Sequence, residues 1–207
     1  MLHRVGIVLA GCGTYDGSDV HEAVFAATAL ARAGARLAWL APEGPQADVV
    51  DHATAGTLEQ APPRDIAQES ARIARGGVDP LTPEAVGGLS GLVVPGGYGT
   101  LKNLFQDLLV PGRPARLKDS VRGAFGSAVG RVPVAAIGLA HRLLEELFGD
   151  LAFDPLALPP GEAIVRPDRL FAYAPGFLGA RSLPEAAAGI DRMVAGLVPL
   201  LRPVPPR

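Results

Sequence analysis

Four short apolar segments, each followed by a loop that contains glycine, constrain the fold of this chain more than any other feature. They cover residues 5–10, 36–40, 92–95 and 133–137. Strands buried on both faces of a parallel sheet have continuous apolar sequences, and helical segments between them supply the crossover connections. We therefore predict an α/β fold with a doubly wound, mostly parallel sheet and helices on both of its faces.

Three segments have the periodicity of amphipathic helices, and they cover residues 18–34, 65–75 and 184–201. Ser18 and Asp19 offer side-chain oxygens that can cap the first helix at its amino end. Two further segments show no clear period, residues 104–130 and 149–167. The order of strands and helices is the one that parallel sheets require.

The length and composition of the chain limit its class. With 207 residues, of which 48% are hydrophobic, it can bury a large core as one domain over residues 1–207. The formal net charge of -2 comes from 19 basic and 21 acidic residues without long blocks of like charge. We therefore expect no nucleic acid and no anionic membrane among its partners, and a small molecule as its ligand.

Cys12 is the only cysteine, which excludes an intramolecular disulfide, and the four histidines lack the spacing of a structural zinc site. A cytoplasmic, reducing location is therefore expected. The apolar start of the chain, residues 1–10, is too short for a secretory signal. No segment reaches the roughly 20 apolar residues that a membrane-spanning helix needs.

Ligands of open parallel sheets bind beyond the carboxyl ends of the strands. Three loops of this sequence are expected at that edge, and they cover residues 11–18, 96–101 and 138–141. Their glycines let the backbone approach a ligand closely. Gly11 and Gly13 lack the third glycine of a dinucleotide-binding fingerprint, so we expect no nucleotide.

Gly138 stands where a predicted strand turns sharply into a helix. Such an elbow holds its central residue in an unfavourable backbone conformation and usually displays a nucleophile. Glycine adopts that conformation without steric cost, but it has no side chain that can react. Two interpretations are open: a catalyst that lost its nucleophile and kept its scaffold, or a simple tight connection. Both predict no covalent chemistry at this position.

Three side chains near these loops are candidates for catalysis. Glu22 suits proton transfer if burial raises its pKa, but its spacing from Asp19 is also that of a capping box. His141 follows the elbow and is either a partner of Glu22 in proton transfer or a polar residue that meets solvent or backbone. Cys12 lies near the amino end of a helix, where thiol pKa values fall, or it occupies a structural place in its loop.

Four parts of the sequence resemble a known family, and they are residues 11–23, 70–76, 95–104 and 186–193. The family is that of the enhancing-lycopene-biosynthesis proteins, ElbB-like glyoxalases of the PfpI branch within the class I glutamine amidotransferase-like superfamily. This resemblance implies a flavodoxin-like sandwich, often a homodimer. It also implies activity on small reactive carbonyl compounds, glyoxal and methylglyoxal, without a metal or an organic cofactor.

The resemblance implies a set of site residues as well. Glu22 matches the family glutamate, and Gly97 matches a loop glycine whose amide helps to hold an oxyanion. Gly138 stands where the family carries its catalytic cysteine, which is the decisive departure from the family pattern. Other residues expected around the pocket are Gly96, Asn103 and Leu139, the last as a second amide donor to the oxyanion.

Two functions follow as expectations. The first is glyoxalase-type chemistry with Glu22 as general acid or base and with Cys12 or His141 replacing the absent thiol. The second is a catalytically silent relative that binds a small metabolite or a protein partner through the same cleft. The absent nucleophile favours the second function, and the family resemblance favours the first.

Overall fold

A computed structural model describes residues 3–108, 110, 112 and 114–203. The strands are β1 (Arg4–Val8), β2 (Arg36–Ala41), β3 (Val50–Asp51), β4 (Gly56–Thr57), β5 (Asp79–Pro80), β6 (Gly91–Val94), β7 (Phe105–Gln106), β8 (Arg116–Leu117), β9 (Val134–Ile137), β10 (Ile164–Arg166) and β11 (Phe171–Ala174). The α-helices are α1 (Val20–Arg32), α2 (Ile66–Ala74), α3 (Pro83–Gly87), α4 (Tyr98–Leu104), α5 (Asp119–Gly126), α6 (His141–Phe148) and α7 (Leu183–Leu197).

The central sheet has seven strands in the order β10-β11-β9-β6-β1-β2-β5. All neighbouring pairs are parallel except β10 with β11, which is antiparallel. The strand β1 lies inside the sheet, with Ile7 opposite Trp39 on one side and Val93 on the other. The predicted doubly wound, mostly parallel α/β fold is confirmed.

Two apolar layers cover the sheet, because successive side chains of a strand point to opposite faces. Ile7 and Val93 pack with the helices α1 and α7, and Val8 and Val94 pack with α5 and α6 on the other face. Residues on both faces of β1, β6 and β9 are buried. Their continuous apolar sequences follow from this burial.

The four predicted strands correspond to β1, β2, β6 and β9, within two residues at each end. The three predicted helices correspond to α1, α2 and α7. Asp19 caps α1, since its Oδ1 accepts from the Glu22 amide at 3.0 Å. Ser18 does not cap the helix. Its Oγ accepts from the Ala10 amide at 3.0 Å, and this hydrogen bond joins the two ends of the loop after β1.

No sequence pattern predicts β10 and β11, which extend the sheet beyond β9. The strand β11 is only four residues long and follows a segment without periodicity, so no local pattern marks it. The unassigned segment 104–130 holds the hairpin β7–β8 and the helix α5. In the described part of the chain, no helix is long and apolar enough to cross a membrane. Met1 and Leu2, at the start of the apolar segment 1–10, lie outside the described residues.

The packing of β1 predicts opposite effects for two glycine substitutions. A Cβ at Gly6 would lie 2.6 Å from Leu89 Cδ1 and 2.8 Å from side-chain carbons of Leu40 and Leu92. Gly6→Ala should therefore lower the free energy of unfolding by about 1–3 kcal/mol through overpacking. Gly123→Ala, in α5, meets nothing within 4 Å and should raise it by about 0.5–1 kcal/mol. Urea denaturation measures both changes, and equal effects would contradict the packing argument.

Candidate functional site

The elbow after β9 has the predicted geometry. Gly138 has a φ of 55°, in the left-handed region, and it begins a single 3₁₀ turn that ends at Ala140. The helix α6 starts at the next residue, His141. The strand therefore reaches the carboxyl edge of the sheet, turns sharply at a glycine and continues as a helix. Position 138 presents backbone and no side chain.

The Glu22 carboxyl group lies directly beside this elbow. Glu22 is in the first turn of α1 and is only 3% exposed. Its Oε2 accepts from the Gly96 amide at 2.7 Å, and its Oε1 accepts from the Phe177 amide at 3.0 Å. These two amides belong to the loops after β6 and β11, so the carboxyl group joins two strand ends through α1.

The capping-box interpretation of Glu22 is wrong. A capping box requires the glutamate carboxylate to accept from the amide of the capping residue. The Asp19 amide instead donates to the Gly96 carbonyl at 2.8 Å. Only half of the box is present, namely the Asp19 side chain on the Glu22 amide. The Glu22 carboxyl group thus makes no hydrogen bond to the capping residue and instead accepts from the loops after two strands.

Three glycines surround the Glu22 carboxyl group and leave it no room for neighbouring side chains. A Cβ at Gly138 would lie 2.7 Å from Oε1, and one at Gly96 would lie 2.8 Å from Oε2. A Cβ at Gly176 would also collide with Oε1. We call Gly96, Gly138 and Gly176 the glycine cage. Close approach of backbone is therefore a property of the whole site, and the elbow is one wall of it.

Burial changes the charge of this group. Desolvation, assisted by the Asp19 carboxylate, raises the pKa of Glu22 to about 8, although the Gly96 and Phe177 amides act in the opposite direction. The carboxyl group is therefore mostly neutral at pH 7 and carries one proton that it can donate. A neutral acid that becomes a base within one pH unit of neutrality suits general acid–base chemistry.

The structure does not bring His141 together with Glu22. The His141 Nδ1 lies 3.1 Å from the Gly138 carbonyl oxygen, and its Nε2 lies 3.9 Å from Glu145 Oε1. The ring is buried and meets Tyr173 edge to face. Both nitrogens are thus directed at groups other than Glu22. The expected Glu–His pair is corrected: His141 supports the elbow from the α6 side.

Cys12 lies on the α2 side of the first loop, and its surroundings do not activate a thiol. Burial and the neighbouring Glu69 carboxylate raise the pKa of Cys12 from its ordinary value. The expectation of a lowered pKa near a helix end is therefore wrong, because partial burial and acidic neighbours outweigh the nearby Arg72. A thiolate is the reactive form of cysteine, so this environment disfavours Cys12 as a nucleophile.

Asn103 is a structural tie instead of a pocket group. Its Nδ2 donates to the carbonyls of Ala10 at 2.7 Å and Asp16 at 2.9 Å, and its Oδ1 accepts from the Ala47 amide at 2.8 Å. The side chain is fully buried. These three hydrogen bonds occupy the side-chain amide of Asn103 and join the loop after β1 to the loop that contains Ala47. The expectation that Asn103 lines the pocket is corrected accordingly, since no part of its side chain reaches the surface.

Gly97 and Leu139 bring backbone amides to the same edge. A Cβ at Gly97 would lie 2.6 Å from the Gly17 carbonyl oxygen, so glycine lets the loop after β6 pack on the loop after β1. The Leu139 amide nitrogen lies 2.9 Å from the place of a Cβ at Gly96. Both amides therefore adjoin the glycine cage. Their role as oxyanion donors stays a prediction.

Sequence reasoning missed Gly176 and Phe177, which complete the site from β11. A signal for them exists, because Val94-Pro95-Gly96 and Ala174-Pro175-Gly176 place the same Pro-Gly pair after a buried apolar run. Within the described residues, no group of three or more His, Cys, Asp or Glu side chains is arranged to hold a metal ion. The site consists of one acid and backbone amides.

The fold belongs to a known structural class. A crystal structure of an isoprenoid biosynthesis protein with an amidotransferase-like domain from Ehrlichia chaffeensis matches with a TM-score of 0.84 and 26% identity, over 96% of this chain and 100% of that chain. Drosophila melanogaster DJ-1beta shares the fold more distantly, with a TM-score of 0.50 and 15% identity over 95% and 91% of the two chains. The architecture is the flavodoxin-like fold of class I glutamine amidotransferase-like and DJ-1 proteins.

Similar sequences come from the same class. The chain is 39% identical to human glutamine amidotransferase-like class 1 domain-containing protein 3, mitochondrial, over 118 residues. This aligned segment covers 57% of this chain and 43% of the human protein. The rat ES1 protein homolog, mitochondrial, has the same identity over the same length, covering 57% and 44%. The match thus spans less than half of each relative's length. No family model matches the chain. Over these 118 residues the chain is similar to glutamine amidotransferase-like class 1 domain proteins.

The expected cytoplasmic location is contradicted by these relatives. The human and rat proteins, and a similar ES1 protein from Danio rerio, are all named as mitochondrial. The expectation rested on the single cysteine, Cys12. One cysteine is unable to form an intramolecular disulfide in any compartment, so its count does not distinguish one reducing compartment from another.

The raised pKa of Glu22 predicts a specific pH dependence of stability. Between its ordinary value of about 4.5 and about 8, the folded state holds a proton that the unfolded state has lost, so this contribution to stability falls as pH rises. Glu22→Gln removes the titration, and it leaves one backbone amide facing an NH₂ group. The variant should be about 1–3 kcal/mol less stable than the parent near pH 5, with a gap that narrows toward pH 9.

Urea denaturation across this pH range measures the gap. Glu84→Gln is the matched control, because Glu84 also lies in the first turn of a helix but is exposed. Its stability curve should run parallel to that of the parent protein. A Glu22→Gln curve that is parallel as well would show that Glu22 is charged at neutral pH in the folded state.

Proposed function

We propose that this chain binds small carbonyl compounds at the Gly138 elbow and that Glu22 exchanges a proton with them. The observation that carries the proposal is the buried Glu22 carboxyl group, held 2.7 Å and 3.0 Å from two amides inside the glycine cage, where burial raises its pKa. A neutral acid donates a hydrogen bond to a carbonyl oxygen, and neighbouring amides stabilise the negative charge that develops there. The ElbB-like resemblance supports glyoxal and methylglyoxal as substrates.

The proposed reaction is glyoxalase-type and needs no covalent bond to the protein. Water adds across the aldehyde of the substrate, and the hydrogen on that carbon moves to the neighbouring carbonyl carbon through an enediol. The product is a 2-hydroxy acid, so substrate and water account for all its atoms and no external oxidant is needed. Glu22 protonates a carbonyl oxygen, takes a proton from carbon as a carboxylate, and returns it.

The surroundings of the elbow favour a non-covalent mechanism. Gly138 has no side chain, and the pKa of the Cys12 thiol is raised. His141 is held by the Gly138 carbonyl. Glu22 is thus the carboxyl group that lies against the elbow glycine. A homodimer without a cofactor is part of the proposal on the strength of the family resemblance, and the balanced charge of the chain favours neither nucleic acid nor a membrane as a partner.

Turnover of methylglyoxal and glyoxal tests this function. Purified protein should convert both to 2-hydroxy acids above the rate in buffer, and Glu22→Gln should lower kcat/KM by about 10² or more. Glu84→Gln, an exposed first-turn glutamate, should leave the rate unchanged. Detection of the hydroxy acid by chromatography excludes simple adduct formation. Parent rates equal to buffer would reject the enzymatic form of the proposal.

The absent elbow side chain favours a second candidate, a silent binding protein. Gly138→Cys and Gly138→Ala separate the two functions, because both add a Cβ that lies 2.7 Å from Glu22 Oε1 at a left-handed position. Each should destabilise the fold by about 1–3 kcal/mol. A gain of turnover in the cysteine variant alone would show a binding cleft that lacks only its nucleophile. No gain in either, with an active parent, supports the non-covalent enzyme.

A further inference from the structure

An ionisable pair connects the first loop to the β3–β4 hairpin. It consists of Asp16, in the loop after β1, and His52, next to β3 in the β3–β4 hairpin. The Asp16 side chain is completely buried, whereas 38% of the His52 side chain is exposed. The pair therefore connects an exposed hairpin to a loop of the candidate site.

One oxygen of Asp16 has no donor. Its Oδ2 accepts from the Val50 amide at 2.9 Å, but among the described residues its buried Oδ1 has no hydrogen-bond partner. A buried acceptor without a donor is costly to the fold. The nearest ring nitrogen is His52 Nε2, which lies 3.6 Å from Oδ1.

The contacts of His52 explain why this donor is missing in one protonation state. Its Nδ1 lies 3.2 Å from the Val50 carbonyl, which only accepts, so Nδ1 carries a hydrogen. In the neutral ring Nε2 is then an acceptor, and the Tyr15 amide donates to it at 3.4 Å. Two acceptors, Nε2 and Asp16 Oδ1, thus face each other until the ring gains a proton.

We infer that His52 and Asp16 form a proton-operated latch that fastens the β3–β4 hairpin to the loop after β1. Protonation turns Nε2 into a donor, so that it donates a hydrogen bond to Asp16 Oδ1. It then no longer accepts from the Tyr15 amide. Gly13 makes the approach possible, since a Cβ there would collide with the His52 ring and lie 3.0 Å from Asp16 Oδ1. The imidazole side chain changes charge in the physiological pH range.

The latch adjoins the candidate site through the backbone. Tyr15 follows Thr14, whose carbonyl accepts from the Tyr98 amide at 2.7 Å, directly after Gly97. The Tyr15 ring lies against the rings of His52 and Tyr98, at 5.3 Å and 6.3 Å between centroids. A change at His52 therefore reaches the loop after β6. The inference does not depend on the proposed function.

The other ionisable groups around His52 have partners of their own. Asp51 precedes it on β3, and the Asp51 carboxylate accepts from the Ala53 amide at 2.9 Å and from the Thr54 hydroxyl at 3.0 Å. Tyr15 is the titratable neighbour on the first loop, and Tyr98 on α4 stands behind it. Asp16 is thus the anionic partner with an oxygen still open to His52.

A double-mutant cycle tests the latch. His52→Gln, Asp16→Asn and the double variant are compared with the parent by urea midpoint near pH 5.5 and near pH 8. The two side chains should stabilise each other at the lower pH and lose this coupling at the higher. Asn at position 16 can donate to the neutral ring, so Asp16→Asn should reverse the pH dependence. His21→Gln, an exposed histidine of α1, is the control and should show no coupling to Asp16.

Coupling of equal size at both pH values, or none near pH 5.5, would overturn the inference. If Asp16→Asn fails to fold, His52→Gln alone still decides, because its deficit in urea midpoint relative to the parent must grow as pH falls. The Tyr15 amide resonance gives an independent reading by NMR. It should move between pH 8 and pH 5.5 in the parent and stay fixed in His52→Gln.

Discussion

The clasp of the Glu22 carboxyl by the Gly96 and Phe177 amides is the interaction on which the candidate site depends. These amides extend from the ends of β6 and β11, and Gly138 of the elbow lies between them. The carboxyl group thus joins two strand ends to α1 and packs against the end of a third, β9. Without it, the buried Gly96 amide and the part-buried Phe177 amide would lose their acceptor, and the glycine cage would surround an empty space.

Backbone, and not side chains, forms the walls of this site. Each cage glycine would place a Cβ less than 3 Å from a Glu22 oxygen, so any other residue there would require the acid or the backbone to shift. The same crowding removes water, and loss of water keeps Glu22 protonated despite two favourable amide contacts. Closeness of backbone and neutrality of the acid are therefore two consequences of one packing arrangement.

The sequence predicts those parts of the site that local patterns encode. The apolar run before Gly138 predicts a strand and an elbow, and helical periodicity places Glu22 in a first turn. What local patterns do not encode is which distant groups meet. The contribution of Phe177 depends on the pairing of β11 with β9, and the raised pKa of the Cys12 thiol depends on burial and on Glu69. The role of Asn103 is likewise not encoded locally, because its hydrogen-bond partners lie 56 to 93 residues away in the chain.

A single carboxyl group without a second base limits the chemistry that the proposed function allows. Glu22 gives up a proton as an acid and recovers it as a base, so the proton must return within one catalytic cycle. Hydration followed by internal hydrogen transfer meets this condition, because substrate and product differ only by water. Acyl transfer through a covalent intermediate does not, since it requires a nucleophile that Gly138 lacks. A glycine at the elbow therefore limits the reaction type, while the strand and the helix on either side of it keep the predicted fold.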